Sequence, residues 1–305
     1  MCELFYPPPL QKGGRVALIA PASPPENSDL VSFAAAYIKS LGLVPVMGES
    51  CNAAYGYLAG DDDLRARDVN WAFSDESISG VFCLRGGYGI QRILDKIDFE
   101  MIKQNPKVFC GYSDVTALHT AINQKSGFIT FHTPMPATPG FVRADSYTLN
   151  KFKEQIFEPG ARSLENPQGY EWRFLTHGKA EGALCGGNLS IIASSMGTPY
   201  EMDTRGKIIF IEEVEEQPYK IDRMLNQMRL ADKFGQAAGV VFGDFADCIA
   251  PEPEKSLDIV QIINNLKLTI PVLYNFRCGH CYPNASLPMG AMAQLNSATN
   301  SFDIV

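Results

Sequence analysis

Between Val16 and His132, short apolar runs alternate with stretches of helical period, and this alternation narrows the fold more than any other feature of the chain. The runs are Val16–Ala20, Leu43–Met47, Gly80–Leu84, Val108–Cys110 and Phe128–His132. Continuous apolar runs, rather than alternating ones, mark strands buried on both faces, as in parallel sheets. Between the runs, the stretch from Ser28 sets Leu30, Phe33, Ala34, Tyr37 and Leu41 on one side, with Gly42 as its stop. Asp61–Asp63 suit the first turn of a helix to about Phe73. Ile90, Ile93, Leu94 and Ile97 predict a further helix face, and Val115, Leu118, His119 and Ile122 another. Strand and helix in this order predict an α/β chain with a doubly wound parallel sheet. Ligands of such sheets sit at the carboxyl ends of the strands. Attention therefore falls on the loops Pro21–Pro25, Arg85–Gly89 and Gly111–Asp114.

The C-terminal half repeats the idea on a smaller scale. Asn188–Met196 reads as a short helix, and Lys207–Ile211 as a buried strand running into Glu212–Glu216. Pro218 opens a helix with Ile221, Met224, Leu225 and Met228 in register, and strands follow at Gly239–Gly243 and Ile270–Tyr274. Residues 141–175 are punctuated by Gly and Pro. The expected division is a first domain over 1–150, a crossover over 151–175 and a second domain over 176–305. At 305 residues and 46% apolar content, the chain can fill two cores. A net charge of −8 argues against nucleic acid and fits a small-molecule substrate. No apolar run nears the ~20 residues of a membrane span. Met1–Pro9 lacks the basic and apolar regions of a signal peptide or lipobox. The expectation is a cytoplasmic protein whose eight cysteines are free thiols.

Ser113 carries the sharpest chemical signal. It lies between an apolar strand run and a helical stretch, where a strained turn lifts a serine hydroxyl to a helix N-terminus. Ser and Asp are also the usual N-caps, so the stretch alone leaves both roles open. The Arg85-Gly86-Gly87 loop can expose backbone N–H groups to a developing oxyanion. Its spacing fits neither a P-loop nor a dinucleotide fingerprint. Among the histidines, His119 falls on an apolar helix face and reads as a core residue. His280 lies in the loop Arg277–Pro283, where it can serve as a base. In that loop Cys278-Gly-His-Cys281 has the spacing of a thiol-disulfide pair, although no helical period follows it. No second Cys or His pair completes a zinc site. A serine hydrolase also needs an acid to orient its base. Glu212 and Glu213, at the end of an apolar strand, supply the residue type, and periodicity does not choose between them.

Together these stretches resemble the LD-carboxypeptidases, the serine peptidase family that includes muramoyltetrapeptide carboxypeptidase and the microcin C self-immunity peptidase. The resemblance rests on Val16–Ser23, Leu58–Gly60, Arg85–Gly89, Gly111–Asp114, Gly186–Leu189, Pro218–Arg223 and Gly279-His280, in the family's order along nearly the whole chain. It implies a flavodoxin-like N-terminal domain, similar to class I glutamine amidotransferases, and a smaller swivelling α/β C-terminal domain. It implies Ser113, Glu212 and His280 as the catalytic residues. The oxyanion donors it implies are the N–H of Asp114 and one from Gly86 or Gly87. A carboxypeptidase must also hold a free carboxylate, for which Arg85 has the charge and position. The resemblance implies no metal or cofactor, and a homodimer. The implied substrate is a murein tetrapeptide losing its terminal D-amino acid, or alternatively a peptidyl-nucleotide. Two other classes stand beside these: a thiol-disulfide oxidoreductase using Cys278 and Cys281, and a non-catalytic binding protein on the same fold.

Overall fold

A computed structural model describes residues 4–305, which divide into two compact units. The first runs to Pro159 and takes back Ser286–Met289. The second comprises Gly160–Ala285 and Gly290–Val305. Each is described by itself.

In the first unit β1 (Arg15–Ile19), α1 (Ser28–Ser40), β2 (Val44–Met47), α2 (Asp62–Ser74) and β3 (Ile78–Cys83) come first. They are followed by α3 (Phe99–Gln104), β4 (Val108–Gly111), α4 (Thr116–Ala121), β5 (Thr130–His132), α5 (Pro139–Val142) and α6 (Ser146–Phe157). β2, β1, β3, β4 and β5 lie side by side in that order, all parallel. Leu287–Met289 adds an antiparallel edge beside β5. β4 and β5 are buried along their whole length, while β2 at the opposite edge is not. This is why β4 reads as an unbroken apolar run.

Several details differ from the sequence reading. The buried line of α1 is Val31, Ala34 and Ile38, one residue displaced from the expected face. The expected helix after Gly89 is instead two 3₁₀ turns, Ile90–Arg92 and Leu94–Lys96. Ile90 and Ile93 stay buried, because an i, i+3 spacing also suits three residues per turn. Asp98 then caps α3, its carboxylate accepting from Met101 N–H at 2.9 Å. Residues 151–157, placed in the crossover by the sequence reading, are helical. Phe152 of α6 packs edge-on against Phe82 of β3, with ring centroids 5.8 Å apart.

The second unit holds β6 (Arg162–Ser163), β7 (Arg173–Thr176), β8 (Lys179–Asn188), α7 (Leu189–Ser195), β9 (Ile208–Val214) and α8 (Pro218–Leu230). β10 (Gly239–Ala246), α9 (Ile259–Asn265) and β11 (Val272–Tyr274) follow. β12 is the Leu287–Met289 edge of the first unit. β13 (Met292–Asn296) and β14 (Ser301–Ile304) complete the second. Its sheet runs β6-β14-β13-β8-β9-β10-β11-β7, with β8 to β11 parallel and the flanks antiparallel. Ile209 and Ile211 of β9 meet Ile221, Leu225 and Met228 of α8 in the core. Among the described residues, no helix is long and apolar enough to cross a membrane.

Candidate active site

In the first unit the strand-to-helix turn after β4 is strained in the way its sequence suggests. Ser113 has φ +63°, the left-handed region that a non-glycine residue enters at a cost. Gly111 makes the turn possible: a Cβ there would lie 2.8 Å from Val115 Cγ1. Ser113 is half-buried, and the turn it opens leads directly into α4.

The Arg85–Gly89 loop lies against this serine. A Cβ on Gly86 would fall 2.8 Å from Ser113 Cβ, 3.0 Å from its Oγ and 3.3 Å from Asp114 N, so only glycine permits the approach. The loop is fastened to the Pro21–Pro25 loop: Ser23 N–H donates to Gly86 O at 3.1 Å, and Ser23 Oγ accepts from Tyr88 N–H at 3.1 Å. Arg85 is half-buried and donates to Pro24 O at 3.0 Å, which uses part of its guanidinium on the loop itself.

Arg65, which the sequence reading passed over, is fully buried beneath these loops. It donates to Pro21 O and Gly89 O at 2.8 Å each and to Gly60 O at 3.3 Å, and pairs with Asp62. Three loops at the carboxyl ends of the sheet are thus tied to one guanidinium. The i, i+3 spacing of Asp62 and Arg65 was the only cue in the sequence. The acidic run is therefore more than a cap. Asp61 does cap α2, accepting from Leu64 N–H at 2.8 Å, while Asp62 serves the network.

In the second unit β9 extends through Val214, because its pairing with β10 carries on past Ile211. Glu212 and Glu213 are therefore strand residues pointing to opposite faces. Both are buried. Glu213 accepts from Asn188 Nδ2 at 2.8 Å and from Ser190 N–H at 2.8 Å and Oγ at 2.6 Å, which fastens β9 to the start of α7. Glu212 faces the Asn275–Ser286 loop, and its Oε2 lies 2.6 Å from His280 Nδ1. Gly279, at φ +129°, permits this approach, since a Cβ there would sit 2.8 Å from Glu212 Oε2. Asn284 braces the loop by accepting from Gly279 N–H at 3.1 Å and donating to Gly279 O at 2.7 Å. Burial alone would lower the His280 pKa. The negative charges of Glu212, then Glu213 and Asp244, outweigh it, and the imidazole is held above its ordinary value.

The neighbouring thiols have the opposite character from a reactive pair. Cys278 and Cys281 are free and buried, in a loop rather than at a helix start, and burial pushes both thiols up. His119 is a core residue on α4, bonded to Gly111 O at 2.9 Å and lowered by burial to about 4. Among the described residues, no group of three or more His, Cys, Asp or Glu is placed to hold a metal.

Both halves of the chain match known proteins. Residues 16–133 match the LD-carboxypeptidase N-terminal domain, and residues 181–295 match its C-terminal domain. The chain is 42% identical to a probable murein peptide carboxypeptidase of Bacillus subtilis (strain 168), over 96% of this chain and 92% of that one. It is 29% identical to the murein tetrapeptide carboxypeptidase of Pseudomonas aeruginosa, over 92% and 93%. The muramoyltetrapeptide carboxypeptidase of Oxalobacter formigenes superposes with a TM-score of 0.82 at 28% identity, covering 95% and 97% of the two chains. MccF, the microcin C7 self-immunity protein, in complex with glutamyl sulfamoyl guanosine, superposes at 0.90 with 22% identity over 99% and 98%, a likeness of fold. With both domains matched and a close relative aligned along nearly its whole length, the chain belongs to the LD-carboxypeptidase family.

Proposed function

We propose that Ser113, His280 and Glu212 act as one catalytic triad that hydrolyses the L-to-D amide bond of a murein tetrapeptide and releases its terminal D-amino acid. The observation that carries this reading is the pair of half-sites, each built for its part. One is a serine on a strained turn beside a glycine loop. The other is a histidine whose Nδ1 meets a fully buried glutamate. Chain connectivity supports it further. Only the six residues 281–286 separate His280 from Leu287, which pairs with His132, itself paired with Gly111. The seven steps from His280 to Leu287 span at most about 25 Å when fully extended.

In this mechanism Ser113 Oγ attacks the scissile carbonyl while His280 Nε2 takes its proton. Glu212 fixes the tautomer by accepting from Nδ1–H and stabilises the imidazolium. The oxyanion is received by Asp114 N–H and by a backbone N–H of Gly86 or Gly87. His280 then returns the proton to the leaving amine, and water repeats the cycle on the acyl-enzyme. Arg85 is the proposed partner of the substrate carboxylate, with the part of its fork not spent on Pro24. The strand order β2-β1-β3-β4-β5 supports a flavodoxin-like first domain. A swivelling second domain, a cytoplasmic location and a homodimer belong to the same proposal.

Incubation with a muramoyl tetrapeptide ending in D-alanine, followed by mass analysis, tests the substrate. Release of D-alanine is expected, with an aminoacyl sulfamoyl nucleoside left intact. The reverse pattern would assign a peptidyl-nucleotide substrate instead. The loop beside the nucleophile has its own test. Gly86→Ala puts a methyl group within 2.8 Å of Ser113 Cβ, so the loop must back away and carry its N–H groups with it. Turnover is expected to fall by ~10²–10³, the effect of losing one oxyanion donor. An unchanged steady-state kcat would remove this loop from the mechanism.

A further inference from the structure

The carboxylate of Asp114 has no part in the chemistry above, yet it is placed with care. It is buried, and its Oδ2 accepts from Ile90 N–H at 2.9 Å. The carbonyl of the same Gly89–Ile90 peptide is held by Arg65 Nη1 at 2.8 Å. One peptide unit is therefore gripped at its oxygen by a cation and at its nitrogen by an anion. Gly89 has φ +135°, and a Cβ there would lie 2.6 Å from Arg65 Nη1. A larger residue would push the guanidinium off.

The charges continue outward in alternating sign. Arg65 pairs with Asp62, and Asp62 accepts from Arg92 at 2.9 and 2.8 Å. Burying charged groups in this way costs stability unless each is paired, and an apolar packing of the same shape often serves stability better. The arrangement therefore calls for a role other than stability, and its neighbour is the oxyanion loop. Gly86, three residues before Gly89, is the residue whose missing side chain brings that loop against Ser113 and Asp114 N.

Resting on the serine mechanism above, we propose that the Asp114 carboxylate and Arg65 form a charged clamp on the Gly89–Ile90 peptide. The clamp sets the Gly86–Gly87 donors in line with Asp114's own N–H. One residue then supplies one oxyanion donor and positions the other. Because the oxyanion exists only in the transition state and the tetrahedral intermediate, the clamp acts on kcat rather than on KM.

The clamp requires an ionised carboxylate. Burial pushes Asp114 up to about 6, against the opposing pull of the Ile90 N–H, Arg65 and the Gly89 backbone. The titratable groups facing it are Arg65 from α2 and the Cys83 thiol at the end of β3, itself raised by burial. Falling pH therefore removes the neutral His280 that turnover requires and the charged Asp114 that speeds it.

The test is the pH dependence of kcat and KM in wild type and Asp114→Asn, with melting midpoints measured alongside. Wild-type log kcat is expected to fall with a slope of one as pH drops through the raised His280 value, and more steeply than one over the ~1–2 units below about pH 6 where Asp114 takes up its proton. Asp114→Asn keeps the shape and an acceptor. It is expected to lower kcat roughly 10- to 10²-fold, less than the loss of a whole donor, with KM little changed. Its acid limb should keep a slope of one throughout, without the steeper segment. A folded Asp114→Asn with unchanged kcat, or with a lower kcat and an unaltered slope, would overturn the clamp. If that variant does not fold, the wild-type profile decides: a segment steeper than one below about pH 6 supports the clamp, and a slope of one throughout overturns it. Ser113→Ala keeps the two levels apart. Full turnover in Ser113→Ala defeats the serine mechanism itself, whereas an inactive Ser113→Ala beside an unaffected Asp114→Asn defeats only the clamp.

Discussion

Ser113→Ala is expected to lower kcat by roughly 10⁴–10⁶, with folding intact. The reason lies in the division of labour. In the proposed mechanism the Glu212–His280 pair serves only to move the serine proton, so once the hydroxyl is gone the pair has nothing to act on. His280→Ala should cost as much as Ser113→Ala, and the double variant hardly more than either, because residues that act as a unit are not additive. The residual rate would come from the oxyanion donors and substrate binding, which neither change touches. Single-turnover rates on a D-alanine tetrapeptide check this. Losses that multiply in the double variant would show that the two side chains act independently. Ser113→Ala should also melt close to wild type, since the strain at φ +63° lies in the backbone and both side chains meet it with the same Cβ.

Glu212→Gln is expected to cost up to ~10⁴ in kcat and to move the acid limb of the pH profile downward. His280 is held above the ordinary imidazole value of ~6.5 by Glu212 first among the charges that oppose its burial. It acts as a base only when neutral, so activity in wild type should fall as pH drops through that raised value. The neutral amide of the Glu212→Gln variant cannot offset the effect of burial, so the imidazole should titrate at lower pH and the limb shift with it. The smaller kcat follows because a neutral amide neither enforces the Nδ1–H tautomer nor stabilises the imidazolium. A limb that stays in place in Glu212→Gln would mean that another group sets it. Glu213→Gln separates the two acids. Its carboxylate is spent on Asn188 and Ser190, so stability should suffer more than the pH limb.

Much of the candidate site could be proposed from the chain, and the parts that could not share a physical cause. Ser113 was legible because its cues are local: an apolar run, a glycine and a helical period follow one another within a dozen residues. His280 was legible by elimination among few histidines. The choice between Glu212 and Glu213 was not, since adjacent strand residues differ only in which face they point to. That depends on the register with β8 and β10. The family resemblance selected Glu212, and in the structure it is Glu212 Oε2 that lies 2.6 Å from His280 Nδ1.

Arg65 was invisible for a related reason. An arginine on a polar helix normally reads as surface, and the three carbonyls that bury it come from loops as far apart as Pro21 and Gly89. The 3₁₀ turns after Gly89 escaped because spacings of three fit both helix types. The return of Leu287–Met289 to the first sheet escaped because a three-residue edge strand has no period to detect.

The central claim is that Ser113 is made nucleophilic by the Glu212–His280 pair, and covalent labelling tests it most directly. Wild type, His280→Ala and Ser113→Ala are each treated with a fluorophosphonate and weighed intact, and the modified peptide is then sequenced. A single adduct on Ser113 in wild type, nearly absent in His280→Ala and absent in Ser113→Ala, is the predicted result. An adduct on another residue, or labelling of Ser113 that proceeds at the same rate without His280, would contradict it.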